Sequence, residues 1–489
     1  MTDLRLALAS NRGPISFVDK SDGGFEVKRG AGGLAGALDP VARRLGDRAI
    51  WIAAATSETD RRAAQAGEVK RVQDLLGYRL ALLDVDRVTY QAYYDRVSNR
   101  MLWFANHCLW DEIGLRGFDA SDEQAWHDAY EPVNRRFAQT IAEHVERDSL
   151  VLFQDYHLST APLYLRESQP DRTISHFTHS SFCGPSEGLS RLPNDLGKRV
   201  IEGMLGADLI GFHVERWAHN FMKCCEAIGA EVDFKAAEVE YKKRRSFVRC
   251  YPIQIEAHQL RQRAERPEVR SWVKRLRDWA GDAKLIVRID RMEPSKNVVR
   301  GFEAFGLLLD RRPDLRETAR FVACVYPSRE TMDEYQEYAR KVQAVVEDLN
   351  VRYPGSVRLF AEDNFDRSLA AEVTYDVLLV NPLIDGMNLV SKEGPALNET
   401  NGVLVLSKGA GSFSELGRHA VVIEDAVDIE ATVGALEVAL ELPPDKRDEM
   451  SKALRRKVEE TTPEDWIDGQ IHDLEEIRQQ GRPKTDPPD

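Results

Sequence analysis

The sequence predicts an α/β protein built from two doubly wound, Rossmann-like domains. Short apolar runs alternate along the chain with longer amphipathic segments, which is the pattern of parallel strands joined by helices. The apolar runs fall into two series, and the change from one series to the other lies near Tyr251–Glu256. A chain of 489 residues is also too long for a single ordinary core. These three observations favour two parallel sheets, each covered by helices on both faces.

The predicted strands are the short apolar runs of each series. In the first series they are Leu4–Ala9, Ala49–Ala55, Leu150–Phe153, Thr173–Phe177 and Leu209–Phe212. In the second series they are Leu285–Ile289, Phe321–Val325, Val357–Phe360, Val377–Val380, Val403–Leu406 and Ala420–Ile423. The spacing of apolar residues predicts helices over Val214–Ile228, Val298–Leu309, Met332–Leu349 and Ile429–Leu440.

Two further segments help to set the domain boundaries. The segment from Thr462 to Asp465 offers an N-cap hydroxyl, a proline in the first turn and acids on the helix dipole, so a helix is predicted to begin there. The charged segment Glu238–Arg245 is predicted to be an exposed turn. The chain is therefore divided into an N-terminal domain over 1–252, a C-terminal domain over 253–462, a final helix over 463–480 and a disordered tail over 481–489.

The composition excludes several classes of function. The chain has 67 Lys and Arg against 81 Asp and Glu, and this formal net charge of −14 argues against a general binder of nucleic acid or of anionic membranes. No apolar run reaches the ~18 residues of a membrane span, and the run after Met1 is too short for a signal peptide, so a cytoplasmic protein is expected. The 6 cysteines show no metal-ligand spacing and are expected to be free thiols.

The stretch Asn381–Gly394 is the strongest candidate for a binding site. It follows the predicted strand Val377–Val380 and opens a helix, so its Asp-Gly turn lies at the carboxyl end of a strand, where open α/β sheets bind ligands. Asp385 can accept hydrogen bonds from a substrate hydroxyl, the helix start suits a phosphate, and Glu393 is a second acceptor. Spacing alone equally allows Asp385 to be a helix cap and Glu393 to be a surface residue.

Polar residues also follow the first, third and fourth predicted strands. Arg12 lies in Ser10–Pro14 after the first strand, and the glycine-rich Gly30–Leu34 opens a helix shortly afterwards, where backbone can approach a phosphate. Asp155 follows the third strand and His179 the fourth. A lone histidine is more often structural than catalytic, but two titratable groups at neighbouring strand ends favour a functional site.

Basic residues follow the first two strands of the second series. Arg291 and Lys296 are separated by a proline-containing turn before a helix, and an arginine fork with a lysine point charge can neutralise a diphosphate. The alternative is an exposed basic turn. Arg329 lies beyond the end of the next strand.

Taken together, these motifs resemble the trehalose-6-phosphate synthase family of retaining glycosyltransferases, in the same order from about residue 4 to about residue 478. The matching pieces are Ser10–Arg12, Gly32–Leu34, Tyr93–Tyr94, Ser98–Asn99, Leu102–Trp103, Asp155–Leu158, His179, Arg291–Lys296, Arg329 and Asp385–Glu393. The resemblance implies the GT-B fold, in which two Rossmann-like domains face a central cleft and the last helix crosses back to the first domain.

The resemblance also implies a nucleotide-sugar donor, a hexose 6-phosphate acceptor and a role for each site residue. The implied donor-binding residues are Gly32, Gly33, Arg291, Lys296, Asp385, Gly386, Met387, Asn388, Leu389, Val390 and Glu393. The implied acceptor-binding residues are Arg12, Tyr94, Trp103, Asp155 and Arg329. The implied catalytic residues are His179, Asp155, Arg291, Lys296 and Asp385. The family needs no metal or cofactor, and its members can assemble as homo-oligomers.

Departures from the family pattern bear on the substrates. Gln154 stands where many relatives have histidine, and Thr178–Pro185 replaces a more usual run. The segment Leu359–Ser368 is shorter than in UDP-glucose-using relatives and more like a related pseudo-glycosyltransferase, so GDP-glucose is favoured over UDP-glucose. Two alternatives stay open: a pseudo-glycosyltransferase that couples a GDP-cyclitol to an amino-cyclitol phosphate, and a catalytically silent sensor or scaffold.

Overall fold

The computed structural model describes residues 4–21, 23–30, 33–115 and 117–480. Gly32 and the tail predicted over 481–489 lie outside this range. The described chain divides into two compact units. Unit 1 comprises 4–111, 115–252 and 464–480, and unit 2 comprises 112–114 and 253–463.

Unit 1 contains a mainly parallel sheet and a separate hairpin. The strands are β1 (Leu6–Ser10), β2 (Ile15–Asp19), β3 (Phe25–Arg29), β4 (Ala49–Ala54), β5 (Arg79–Leu83), β6 (Leu150–Gln154), β7 (Ile174–Thr178), β8 (Leu209–Phe212), β9 (Glu231–Asp233), β10 (Glu238–Tyr241) and β11 (Arg244–Cys250). The sheet order is β5-β4-β1-β6-β7-β8-β11-β10-β9, with β2 and β3 paired apart from it. Pairing is parallel from β5 to β11 and antiparallel between β11, β10 and β9.

Helices connect these strands. They are α1 (Gly33–Leu45), α2 (Glu58–Gln65), α3 (Glu68–Leu76), α4 (Arg87–Gln91), α5 (Trp103–Asn106), α6 (Ala120–Ala125), α7 (Glu131–His144), α8 (Ala161–Ser168), α9 (Leu196–Met204) and α10 (Glu215–Ala227). The segments Ala92–Leu102 and Trp126–Tyr130 are π-helical, a conformation that is rare and often found at functional sites.

Unit 2 is a doubly wound parallel sheet. Its strands are β12 (Lys284–Arg291), β13 (Ala319–Tyr326), β14 (Val357–Phe360), β15 (Val377–Val380), β16 (Val403–Ser407) and β17 (Val421–Ile423), in the order β14-β13-β12-β15-β16-β17. The helices that follow Pro252 are α11 (Ala257–Ala264), α12 (Pro267–Ala280), α13 (Val298–Arg311), α14 (Asp333–Arg352), α15 (Phe365–Thr374), α16 (Val390–Leu397), α17 (Phe413–Leu416), α18 (Ile429–Glu441), α19 (Pro444–Val458) and α20 (Pro463–Gln480).

The core of unit 2 lies on both faces of its sheet. One apolar cluster joins α13, α14 and α18 to residues such as Phe321, and the other joins α12, α15, α16 and α19 to residues such as Leu378. Strands covered on both faces are apolar throughout, which is why they are visible in the sequence as continuous runs. The predicted fold class of α/β with doubly wound sheets is confirmed.

The predicted strands are all present, with ends shifted by at most two residues. The structure corrects one segment, because Glu238–Arg245 is not an exposed turn. It contains β10 and the start of β11, which form an antiparallel hairpin whose turn residues Lys242 and Lys243 have φ of 50° and 60°. Its alternating charged residues conceal the strand pattern, while Val239 and Ser246 are buried.

The expectation of six free thiols is wrong. Cys108 and Cys183 form a disulfide whose Cα atoms are 6.2 Å apart across a sequence separation of 75 residues. Spacing along the chain carries no information about a contact of this separation, so the sequence could not reveal it. In the described part of the chain, no helix is both long and apolar enough to cross a membrane.

Helix α20 is part of unit 1. Its apolar residues Trp466, Ile467, Ile471 and Leu474 are each at most 3% exposed. Polar contacts flank this buried stripe: Arg44 pairs with Asp468, the Tyr251 hydroxyl donates to Asp473, and Arg478 donates to the carbonyl oxygen of Asp148.

We expect the Trp466→Ala variant to lower the free energy of unfolding by about 3–5 kcal/mol, because loss of a buried indole leaves a cavity. The rings of Phe177 and His179 lie 5.1 and 5.6 Å from that of Trp466. Urea unfolding followed by circular dichroism measures the effect. Val438→Ala, at a position 52% exposed on α18, is the control. Equal midpoints for Trp466→Ala and the unaltered chain would contradict a role for α20 in this core.

Candidate active site

The Asp385 turn joins the ends of two adjacent strands in unit 2. Lys296 follows β12, Asp385 follows β15, and Lys296 Nζ donates to Asp385 Oδ2 at 2.5 Å. Asn388 Nδ2 donates to the same oxygen at 3.1 Å. Leu389, which precedes α16, makes no side-chain cap. The Asp385 carboxylate therefore pairs with Lys296 and is not the N-cap of α16.

A second glycine-rich segment, which the sequence reasoning missed, supports this turn. The Asp385 N–H donates to Gly409 O at 3.0 Å, and the Gly411 N–H donates back to Asp385 O at 3.1 Å. A Cβ at position 411 would lie 2.0 Å from Gly386 O, so only glycine fits there. The Ser412 N–H donates to Met387 O at 2.8 Å. The backbone of the Asp385 turn is therefore held by main-chain contacts on one side.

The basic residues that follow β12 and β13 surround a buried acid. Glu293 Oε1 lies 3.0 Å from Arg291 Nη1 and 2.7 Å from Arg329 Nη1, and the Glu293 side chain is 0% exposed. Burial acts to lower the pKa of Lys296, but the carboxylates of Asp385, Asp290 and Glu293 together outweigh it, and the pKa is raised. Lys296 therefore stays cationic at neutral pH. These residues are not the exposed basic turn of the alternative interpretation.

Glu393 lies in the first turn of α16, beside a buried acid that the sequence did not single out. Glu372 on the neighbouring α15 is 2% exposed. Burial raises the pKa of Glu393 to about 7. Burial, and then the charge of Glu393, raises the pKa of Glu372 well above its ordinary value. Glu372 is therefore neutral near pH 7, and Glu393 binds a proton more tightly than an exposed glutamate does.

In unit 1, Asp155 and His179 are brought together at the ends of β6 and β7. Asp155 has φ of 71°, an uncommon conformation for a residue with a side chain, and the His179 N–H donates to its Oδ1 at 3.3 Å. His179 Nε2 lies 2.9 Å from Gln154 Oε1, so this nitrogen carries a proton. Burial, followed by the nearby His213 and His176, holds the pKa of His179 well below its usual range. His179 is therefore neutral.

Arg12, Tyr94 and Asp155 are connected through His157. Arg12 Nη2 donates to the Tyr94 hydroxyl at 3.1 Å, and the Tyr94 ring stacks on that of His157 at 5.6 Å. His157 Nδ1 lies 3.9 Å from Asp155 Oδ2. The π-helical segment carries Tyr94 and leads into Trp103, which packs on Tyr156 with ring centroids 5.6 Å apart. Unit 1 thus collects one cation, one carboxylate and several rings.

The remaining predicted residues are placed as follows. Gly33 begins α1, Val390 begins α16 with Leu389 directly before it, and Gly386, Met387 and Asn388 form the turn after Asp385. The nearby Lys392 of the same motif is buried, and its Nζ donates to Ile253 O at 2.9 Å and Glu415 Oε1 at 2.8 Å, so it is structural. Among the residues that the structure describes, His472, Asp473 and Glu476 on α20 form a group close enough to hold a metal ion. None of the three is a predicted site residue.

The model of glycosyltransferase family 20 matches residues 4–476. The chain belongs to glycosyltransferase family 20. It is 33% identical over 468 residues to the trehalose-6-phosphate synthase of Mycolicibacterium vanbaalenii, a match that covers 92% of each chain. It is 32% identical over 469 residues to the trehalose-6-phosphate synthase of Mycobacterium avium, which covers 92% of this chain and 91% of the relative.

Solved structures of the same family have the same fold. An α,α-trehalose-phosphate synthase (UDP-forming) from Burkholderia xenovorans, in complex with glucose-6-phosphate, is 25% identical with a TM-score of 0.81, covering 96% of this chain and 100% of that one. The corresponding enzyme from Burkholderia vietnamiensis is 25% identical with a TM-score of 0.83, covering 97% of each chain. The predicted family, GT-B fold class and transferase activity are confirmed.

We expect the stability of the protein to fall as the pH rises through about 7, and Glu372→Gln to make this fall shallower. The pKa values of Glu372 and Glu393 are raised on folding, so the folded chain holds protons that the unfolded chain releases above about 4.5. This stabilisation is fully present below that pH and is lost as each folded group ionises. Midpoints of urea unfolding between pH 5 and pH 8 measure it.

Glu317→Gln is the matched control, since its side chain is 90% exposed. Its pH profile should follow that of the unaltered protein. A Glu372→Gln profile parallel to the unaltered one would contradict the buried, protonated state of Glu372.

Proposed function

We propose that the chain is a retaining trehalose-6-phosphate synthase, which transfers glucose from a nucleotide-activated donor to glucose 6-phosphate. The observation that carries this proposal is the Lys296 and Asp385 pair at adjacent strand ends, with Arg291 beside Glu293 on the same side of β12. The names of relatives at 32% and 33% identity support the same activity. The proposal assigns acceptor binding mainly to residues 1–252, with Arg329 added, and donor binding mainly to residues 253–462.

The donor is held by unit 2 in this proposal. Arg291 and Lys296 bind the diphosphate, and the two cations neutralise the charge that develops on it as its bond to the sugar breaks. Asp385 accepts hydrogen bonds from sugar hydroxyls. The Lys296 contact keeps that carboxylate ionised and fixes its position. The backbone from Gly386 to Val390 follows the sugar, and the Glu393 carboxylate accepts the two ribose hydroxyls.

The acceptor is bound through its phosphate and its hydroxyls. Arg12, with the Tyr94 hydroxyl at 3.1 Å, offers a cation and a phenol to the phosphate, and Arg329 offers a second cation. Trp103 gives an apolar surface for the sugar ring, and Asp155 accepts from a sugar hydroxyl. Arginines that bind the phosphate would explain how a protein with a net charge of −14 takes an anionic substrate.

The chemistry proceeds without a protein nucleophile in this proposal. The leaving diphosphate accepts the proton of the acceptor hydroxyl, so the new bond forms on the face from which the diphosphate departs and the anomeric configuration is retained. His179 is neutral and contributes hydrogen bonding beneath the sugar, since burial prevents it from carrying a charge. The work of the protein is positioning and electrostatic stabilisation. No step calls for a metal ion or a cofactor.

GDP-glucose is the proposed donor. Four residues, 361–364, separate β14 from α15. They lie within Leu359–Ser368, which the family resemblance implies to be shorter than in UDP-glucose-using relatives. Glu362 and Asp363 are exposed in it. Carboxylates can accept hydrogen bonds from the adjacent N–H groups on the Watson–Crick edge of guanine, whereas uracil presents one such group.

Nucleotide release tests the function. Glucose 6-phosphate is supplied with GDP-, UDP- or ADP-glucose in turn, with unphosphorylated glucose as the matched control acceptor. We expect fastest release with GDP-glucose and glucose 6-phosphate, and a product with both anomeric carbons in the α configuration by NMR. No release with any donor would reject the proposal. Turnover confined to a GDP-cyclitol and an amino-cyclitol phosphate would favour the pseudo-glycosyltransferase.

Arg291→Ala should lower kcat by about 10²–10³-fold while raising the KM for glucose 6-phosphate far less, because the lost charge acts on the leaving diphosphate. The pair between Glu293 and Arg329 remains in this variant. Steady-state kinetics with each substrate varied gives both constants. Arg311→Ala, at an exposed arginine paired with Glu430, is the control. Unchanged turnover in Arg291→Ala would contradict the role of Arg291.

A further inference from the structure

One buried carboxylate in unit 2 is shared by two arginines. Glu293 Oε1 lies 3.0 Å from Arg291 Nη1 and 2.7 Å from Arg329 Nη1, and it accepts from Ser328 Oγ at 3.1 Å. Glu293 Oε2 lies 3.5 Å from Ser295 Oγ. The two arginines come from the ends of adjacent strands, β12 and β13. The acid is therefore the point where the two strand ends are joined.

The burial of Glu293 has to be compensated by charge. The side chain is 0% exposed, and an ionised carboxylate leaves water only where cations and hydrogen bonds replace the lost hydration. One arginine would balance its charge. Two arginines on one oxygen leave a net positive cluster, whose mutual repulsion is relieved by the shared acid. The second cation therefore exceeds what the charge of Glu293 alone requires.

The side chain of Arg329 is fixed on a second side. Its Nη1 also contacts the Tyr335 hydroxyl at 2.6 Å, its guanidinium lies 5.3 Å from the centre of the Tyr335 ring, and its φ is 48°. The Arg329 side chain is 7% exposed, whereas that of Arg291 is 37% exposed. One guanidinium is thus anchored deeply, and the other is held to it through Glu293.

We propose that Glu293 is a positioning residue that fixes the distance between the guanidinium groups of Arg291 and Arg329, and so aligns the two phosphate-bearing substrates. This inference rests on the proposed function, in which Arg291 meets the donor diphosphate and Arg329 the acceptor phosphate. Glu293 itself touches neither substrate. Its carboxylate fixes the relative position of the two guanidinium groups that bind the substrates.

Removal of the negative charge distinguishes positioning from simple electrostatics. Glu293→Gln keeps the size of the side chain and adds one unit of net positive charge. If Glu293 only reduced the positive charge of the site, both anionic substrates would bind more tightly in this variant. If Glu293 positions the arginines, they separate and both substrates bind more weakly.

We expect Glu293→Gln to raise the KM for the nucleotide-glucose and for glucose 6-phosphate together and to lower kcat/KM roughly 10- to 100-fold. Glu293→Asp, which keeps the charge on a shorter side chain, should recover part of the loss. The matched control is Asp314→Asn, since Asp314 pairs with Arg312 two residues away at 2.7 Å on the exposed surface. Tighter or unchanged binding, or a change in one KM alone, would overturn the proposal.

A second measurement applies if Glu293→Gln does not fold. Arg291→Lys and Arg329→Lys keep both charges but lose the planar fork that reaches a shared oxygen. If Glu293 joins the two arginines, the fold-change in kcat/KM of the double variant differs from the product of the single fold-changes. Multiplicative effects would overturn the proposal.

Nucleotide release by the unaltered protein is measured first, because it tests the proposed function separately from the role of Glu293. If the protein releases no nucleotide from any donor, the synthase assignment fails, and calorimetry with inorganic pyrophosphate and inorganic phosphate then tests the positioning role separately. Weaker binding of both anions by Glu293→Gln supports the role of Glu293, and equal affinities overturn it.

Discussion

The ion pair between Lys296 and Asp385 is the contact on which the geometry of the unit 2 site depends. It joins the turn after β12 to the turn after β15, and a backbone bond from the Leu383 N–H to Ser295 O at 2.9 Å joins the same two turns. Both side chains are at most 15% exposed, so solvent screens their attraction little. The cation and the acceptor that the proposed reaction needs therefore hold each other in place before any substrate arrives.

The electrostatics of the site differ from those of the whole chain. The protein is acidic overall, yet Arg291, Arg329 and Lys296 lie together in unit 2. The buried Glu293 and the partly buried Asp385 lie among them. Two acids do not neutralise three cations. Their main effect is to keep the cations charged and oriented despite burial. This arrangement suits glycosyltransferase family 20, in which the chain is placed by its match over residues 4–476.

Much of the fold could be predicted from the sequence, because strands covered on both faces are apolar without interruption, as Val377–Val380 is. The position of polar residues such as Asp155 and His179 at the ends of such strands could be predicted for the same reason. The hairpin of β10 and β11 could not, since charged residues line its exposed positions. Glu293 was missed because an acid two residues from an arginine looks like a surface pair, and only the fold brings Arg329 to the same oxygen. Glu372 was hidden within an ordinary helix pattern.

The close approach at Gly411 limits how the protein can diverge. Main-chain hydrogen bonds fasten the turn that carries Asp385 to the segment after β16, and no side chain fits at the point of closest approach. Almost any replacement there moves the turn backbone, whereas side chains elsewhere in the site can be exchanged one at a time. A change of ligand that keeps this backbone therefore has to come from the residues that face the turn.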